Sequence, residues 1–207
     1  MALKELILIR HGELPDEYAG RFVGSTDAPL GEAGIRCCQA LAPVWRAKYA
    51  YTTVYVSPKL RARMSAELIC GEHPFRIDER LREIDFGRWE NLTFAEIKER
   101  DPELFDEWMA HPDEMIFPDG ESFPEFCRRT AEFADMLKQS ADERVTVIAH
   151  GGVLTRLICG FLGIPEEEKW RWQPRRGALS VIEFTPEDPH GRFQLFNLSG
   201  DFIISSH

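Results

Sequence analysis

Leu6-Ile7-Leu8-Ile9-Arg10-His11-Gly12 is the stretch from which the architecture follows. Four consecutive aliphatic residues without polar alternation mark a strand covered on both faces, and the run stops abruptly at a histidine and a glycine. The same design returns late in the chain, where Val145, Val147, Ile148 and Ala149 lead into His150-Gly151-Gly152. A helical face of Leu154, Leu157, Ile158 and Phe161 follows, and Gly163 and Pro165 end it. Val54-Tyr55-Val56 reads as a third buried strand. After it, Ser57 is placed to cap a helix with Pro58 in the first helical position, and Leu60, Met64 and Leu68 repeat every four residues.

Working outward, a further helix carries Ile35, Cys38, Ala42 and Trp45. Another runs behind the capping box Ser122-x-x-Glu125, with Phe123, Phe126, Cys127, Thr130, Phe133, Ala134 and Leu137 on one stripe. Leu179 to Phe184 and Phe193 to Asn197 read as two strands of a hairpin, joined through the turn-rich Thr185 to Gly191. Strands alternating with helices predict an α/β fold, a three-layer α/β/α sandwich around a mostly parallel, mixed sheet. Such sheets bind ligands beyond the carboxyl ends of their strands, which is where His11 and His150 fall.

The composition fits one packed domain spanning residues 1–207. Hydrophobic residues make up 43% of the chain and charged residues 29%, enough apolar material for a core and no signature of disorder. A net charge of −10 argues against a nucleic-acid partner. The apolar run from Met1 to Ile9 carries Lys4 and Glu5 and is too short to span a membrane, so a cytoplasmic protein without a membrane partner is expected. Five cysteines without a CxxC pair suggest buried thiols rather than a disulfide framework or a zinc cage. A homodimer is left open.

Two histidines that each close a buried strand and precede a glycine come to one edge if their strands are neighbours. Arg10 adjoins the first. Arg61 lies in the first turn of the helix after Ser57-Pro58, where the helix dipole disfavours a cation unless an anion is near. Two arginines and two imidazoles, cationic or able to become so, make an anion pocket suited to phosphate, and the helix opening at Gly151-Gly152 adds backbone N–H donors. There is no P-loop and no acidic metal cluster of convincing spacing, so a phosphoryl transfer without metal or other cofactor is expected, on a small phosphorylated metabolite. With no cysteine or serine suitably placed, His11 is the expected nucleophile. Glu83, in the loop Leu81 to Glu90, is the expected general acid for the leaving group.

These residues resemble the histidine phosphatase superfamily, which includes the cofactor-dependent phosphoglycerate mutases. The resemblance is carried in order by Arg10-His11-Gly12-Glu13, Gly20-Arg21 with Gly24, Asp27, Pro29-Leu30 and Gly34, Ser57-Pro58-x-x-Arg61-Ala62, Leu81-x-Glu83 with Phe86-Gly87-x-Trp89-Glu90, and Ala149-His150-Gly151-Gly152. It implies a phosphoglycerate mutase-like fold, a phosphohistidine on His11, and Glu83 as acid and then base. It also implies that Arg10, Arg61 and His150 hold the phosphoryl group, with Arg21, Gly24 and Gly151 among the substrate contacts. The compact length and Phe117-Pro118-Asp119-Gly120-Glu121-Ser122-Phe123 resemble the α-ribazole 5′-phosphate phosphatases of cobalamin synthesis. A phosphoglycerate mutase, a broad-specificity phosphatase and an inactive binding protein of the same fold are the alternatives. Leu14, Glu17 and Asn91 depart from the family's usual residues. If Glu17 borders the pocket, its charge disfavours small polyanions, while Trp89 and Phe117 would favour an apolar or aromatic leaving group.

Overall fold

The computed structural model describes residues 2–205. In chain order its strands and helices are β1 (Glu5–Arg10), α1 (Glu32–Tyr49), β2 (Thr53–Val56), α2 (Leu60–Cys70), β3 (Phe75–Ile77), α3 (Phe94–Arg100), α4 (Pro102–Ala110), α5 (Phe123–Gln139), β4 (Arg144–Ala149), α6 (Gly151–Leu162), β5 (Ala178–Thr185), β6 (Asp188–Ser199) and α7 (Gly200–Ser205). Six strands form one mixed sheet in the order β3-β2-β4-β1-β5-β6. The first four are mutually parallel, β5 runs against them, and β6, antiparallel to β5, returns to their direction.

The unbroken aliphatic run explains why β1 lies at the centre. Leu6 and Leu8 enter a core shared with Phe133 of α5 and with Leu154 and Ile158 of α6. Ile7 and Ile9, pointing the other way, join a core with Leu41 and Trp45 of α1 and Ala66 and Ile69 of α2. All four β1 residues are fully buried, each contributing about 1.5–3 kcal/mol of hydrophobic stabilisation. The second face also buries polar side chains, among them Thr52, Ser65 and Thr146. The Thr146 hydroxyl accepts from Trp45 Nε1 at 3.2 Å and pairs with Thr52 Oγ1 at 2.9 Å. The cysteines are free thiols, four buried and Cys127 partly so.

The Ser122 capping box forms as expected. Ser57, however, does not cap α2. That helix starts at Leu60, and its first N–H is met by Asp27 Oδ1 at 2.6 Å, from a loop far earlier in the chain. The C-terminal hairpin is also tighter than expected, since β5 reaches Thr185 and β6 begins at Asp188. The segment expected to be all turn is therefore mostly ladder, with Gly191 in the left-handed region within β6.

Candidate active site

Register brings the chemistry together. β4 lies between β2 and β1, so Ser57, His150 and His11 leave three adjacent parallel strands at the same edge. The ladder continues one step past each end: Ser57 N–H donates to Ile148 O and His11 N–H to Ala149 O, both at 3.0 Å. The two imidazole centroids are 5.1 Å apart. His11 Nδ1 lies 2.7 Å from Gly12 O, and because a carbonyl only accepts, Nδ1 carries the proton and Nε2 keeps its lone pair. His150 is held at both nitrogens: Nδ1 accepts from Arg61 Nε at 3.2 Å, so Nε2–H donates to Ser57 Oγ at 2.6 Å. Burial, then Arg61, holds both imidazoles well below the ordinary value of 6.5; Arg10 adds to this for both, and His11 for His150. At neutral pH both rings are therefore neutral. The positive charge of the pocket resides on its arginines, which corrects the expectation that the histidines share it.

Arg61 is the second residue of α2 and is fully buried. Its guanidinium donates to the carbonyls of Thr26 at 2.8 Å, Val23 at 3.1 Å and Gly24 at 2.9 Å. Those carbonyls offset the unfavourable helix dipole that the sequence argument had assigned to a bound anion. With Nε given to His150, one Nη1–H of the five donors is left to face a ligand. The carbonyl loop is itself braced. The Glu90 carboxylate accepts from the N–H groups of Gly24, Ser25, Thr26 and Phe86 and from the Thr26 hydroxyl, at 2.6–3.2 Å. Arg10 donates from Nη1 to Pro174 O at 2.9 Å, while its buried Nε meets no partner among the described residues. Burial, then the charge of Arg176, lowers the Arg10 pKa to about 10.

Glu83 reaches this edge from the loop after β3. Its Oε2 accepts from Gly152 N–H at 3.1 Å and its Oε1 from Ile84 N–H at 3.2 Å, which aims the carboxyl at the N-terminus of α6. The paired glycines make this approach feasible. A Cβ on Gly151 would sit 2.9 Å from the Arg10 guanidinium carbon, and one on Gly152 only 2.6 Å from Glu83 Oε1.

A family model for the histidine phosphatase superfamily (branch 1) matches residues 6–197. The chain belongs to that superfamily. Adenosylcobalamin/alpha-ribazole phosphatase of Salmonella typhimurium is 30% identical over 181 residues, 86% of this chain and 89% of that protein. Phosphoserine phosphatase 1 of Hydrogenobacter thermophilus is 27% identical over 209 residues, 98% of each. The crystal structure of the alpha-ribazole phosphatase from Shigella flexneri superposes with a TM-score of 0.84 at 28% identity, covering 93% of this chain and 96% of that one. The mixed six-stranded sheet flanked by helices is accordingly the phosphoglycerate mutase-like fold, and the superfamily relationship makes the chain a phosphatase.

In this histidine phosphatase the structure brings His11, His150, Arg10, Arg61, Gly151 and Glu83 into one cluster. It does not bring Arg21 there. That guanidinium donates to Glu17 O, Asn91 O and the Glu96 carboxylate on the exposed side of the loop. Gly24 is near, but its N–H belongs to Glu90 and its carbonyl to Arg61, and a Cβ there would lie 1.8 Å from Ile84 O, so it serves packing. Glu17 sits exposed on a short 3₁₀ turn. Trp89 is wholly buried, with Nε1 on Asp101 at 2.7 Å, so it is core rather than a substrate contact. Phe117 is also buried, but at a cavity edge. It lines a cavity of about 570 Å³ that also exposes Phe22, Phe86, Phe94 and Trp108 and ends at Glu83 and Gly152. Sequence reasoning missed Ser57 as the partner of His150, Glu90 as the brace and Asp27 as the α2 cap. A local serine-proline signal pointed elsewhere, and the other two act only across the fold.

Proposed function

We propose that this phosphatase hydrolyses phosphomonoesters of apolar, aromatic-bearing alcohols through a phosphohistidine on His11, with an α-ribazole 5′-phosphate-like substrate. In the first half-reaction His11 Nε2 attacks phosphorus and the ester P–O bond breaks. Glu83, entering protonated, gives its proton to the departing oxygen. In the second, water attacks the phosphohistidine, Glu83 takes its proton, and the P–N bond breaks to return His11. Arg10, with its unpartnered buried Nε, and the remaining Arg61 donor support stabilisation of the equatorial oxygens in both steps. His150, whose nitrogens are occupied by Ser57 and Arg61, supports the second of those donors by fixing the Arg61 plane.

The cavity carries this reading. Glu83 marks where the leaving oxygen must be, and the wall next to it is built from aromatic rings. Its one lysine, Lys169, is already paired with Asp113 at 2.6 Å and Glu166 at 2.8 Å. A carboxylate-bearing leaving group such as serine or a glycerate finds Asp113 there instead of an available cation, and a mutase needs a second anion grip that the apolar wall does not supply. Steady-state turnover of α-ribazole 5′-phosphate, phosphoserine and 3-phosphoglycerate tests this. A kcat/KM for α-ribazole 5′-phosphate at least about tenfold above both others is expected, about 1.4 kcal/mol in transition-state binding. Preference for either carboxylated substrate contradicts the assignment.

A further inference from the structure

Glu121 and the α5 residue Arg129 play no part in the scheme above, yet they meet behind the segment that carries the acid. Arg129 and Glu121 have side chains only 7% and 9% exposed. Arg129 Nε and Nη2 meet the two Glu121 oxygens at 2.6 and 2.8 Å. Its Nη1 donates to Arg80 O at 2.7 Å and Arg82 O at 2.6 Å, and Nη2 also to Glu83 O at 3.2 Å. All five guanidinium donors are thus used, three of them on carbonyls of the short stretch that ends in the acid. Glu121 is anchored in turn, since its N–H donates to Asp85 O at 2.9 Å on the far side of Glu83. The guanidinium also lies 4.8 Å from the ring centre of Phe126, a cavity-wall residue beside Gly152.

We propose that Arg129, held by Glu121, is the positioning residue for Glu83: it fixes the main chain leading into the acid, while the Glu121 N–H holds Asp85 just beyond it, so that the carboxyl meets the leaving oxygen. The inference rests on Glu83 being the acid. Lysine at 129 keeps the charge but is a single point donor and cannot span the carbonyls and the carboxylate together. A small displacement of the acid penalises a basic alkoxide leaving group and spares a nitrophenolate, which departs unaided.

Rapid-quench measurement of phosphohistidine formation on a primary-alkyl phosphate and on p-nitrophenyl phosphate separates the cases, using the parent protein, Arg129→Lys, Glu83→Gln and the double variant. Arg129→Lys should slow the alkyl ester by about tenfold or more and the aryl ester by less than about threefold. Glu83→Gln should show the same bias more strongly, and adding Arg129→Lys to it should cost the alkyl ester little further, because both act through one group. Equal slowing of both esters by Arg129→Lys, or its full loss repeated on the Glu83→Gln background, overturns the positioning role while leaving the acid in place. Absence of bias in Glu83→Gln itself overturns the acid and the positioning role together. Should Arg129→Lys fail to fold, Glu121→Gln keeps the shape of the pair, and the same bias at reduced size is expected; no bias there is equally fatal.

Discussion

Neutral imidazoles in a site built on arginines set a pH response at the residue scale. Folding holds His11 and His150 well below 6.5, chiefly through burial, so between their folded values and 6.5 the unfolded chain binds more protons than the folded one. Unfolding free energy therefore rises with pH across that window, and stability is lost as pH falls below about 6.5, before most carboxylates titrate. Thermal unfolding from pH 7.5 to 5 should show this slope, and His11→Asn should flatten it. A slope unchanged in that variant places the proton uptake elsewhere. The positions of both histidines were legible, because an aliphatic run that stops at His-Gly leaves little choice about where the ring sits. Their charge state was not, because it depends on burial and on an Arg61 guanidinium that only the fold delivers. Ser57 shows the same limit, since its local capping signal yields to a 2.6 Å bond with His150.

At the scale of elements, the loop after Arg21 has no regular structure and is held by one carboxylate. Glu90 collects four N–H groups and a hydroxyl, and the carbonyls so oriented are those that receive Arg61. Glu90→Gln puts an amide donor where acceptors are needed and leaves buried N–H groups unmet, at about 1–3 kcal/mol each. It should lower the melting temperature by about 5 °C or more and cut kcat/KM about tenfold, through loss of the Arg61 alignment rather than of any substrate contact. Parent-like kinetics with an unchanged melting temperature would show the loop standing without it. The long elements were legible from periodicity: α1, α5 and α6 each carry a clear apolar stripe. The segment bearing α3 and α4 was not resolved into helices, although Thr93-x-x-Glu96 is a capping box that forms in the structure. Its apolar residues face a cavity as well as a core, which blurs the helical period.

At the scale of the whole molecule, the proposed function divides the labour: the sheet edge would supply the reaction centre, and α3, α4 and the segment around Phe117, which line the cavity, the wall for the leaving group. Phe94 is 46% exposed at that wall, and its ring meets those of Phe22, Phe105 and Trp108. Phe94→Ala should raise KM for an aromatic-bearing phosphomonoester about three- to tenfold, in line with about 0.5–1.5 kcal/mol per aromatic pair, and affect a short alkyl phosphate less. Equal effects on both would detach the cavity from recognition. The same wall has a kinetic side under this reading. When the ester bond breaks, the arginines keep hold of a phosphoryl group now on His11, whereas the alcohol retains every apolar contact that recruited it. Water reaches the phosphohistidine only after that alcohol has withdrawn from beside Glu83. Tighter aromatic recognition thus lengthens the residence of the first product, and the rings that choose the substrate also time the hydrolysis that follows.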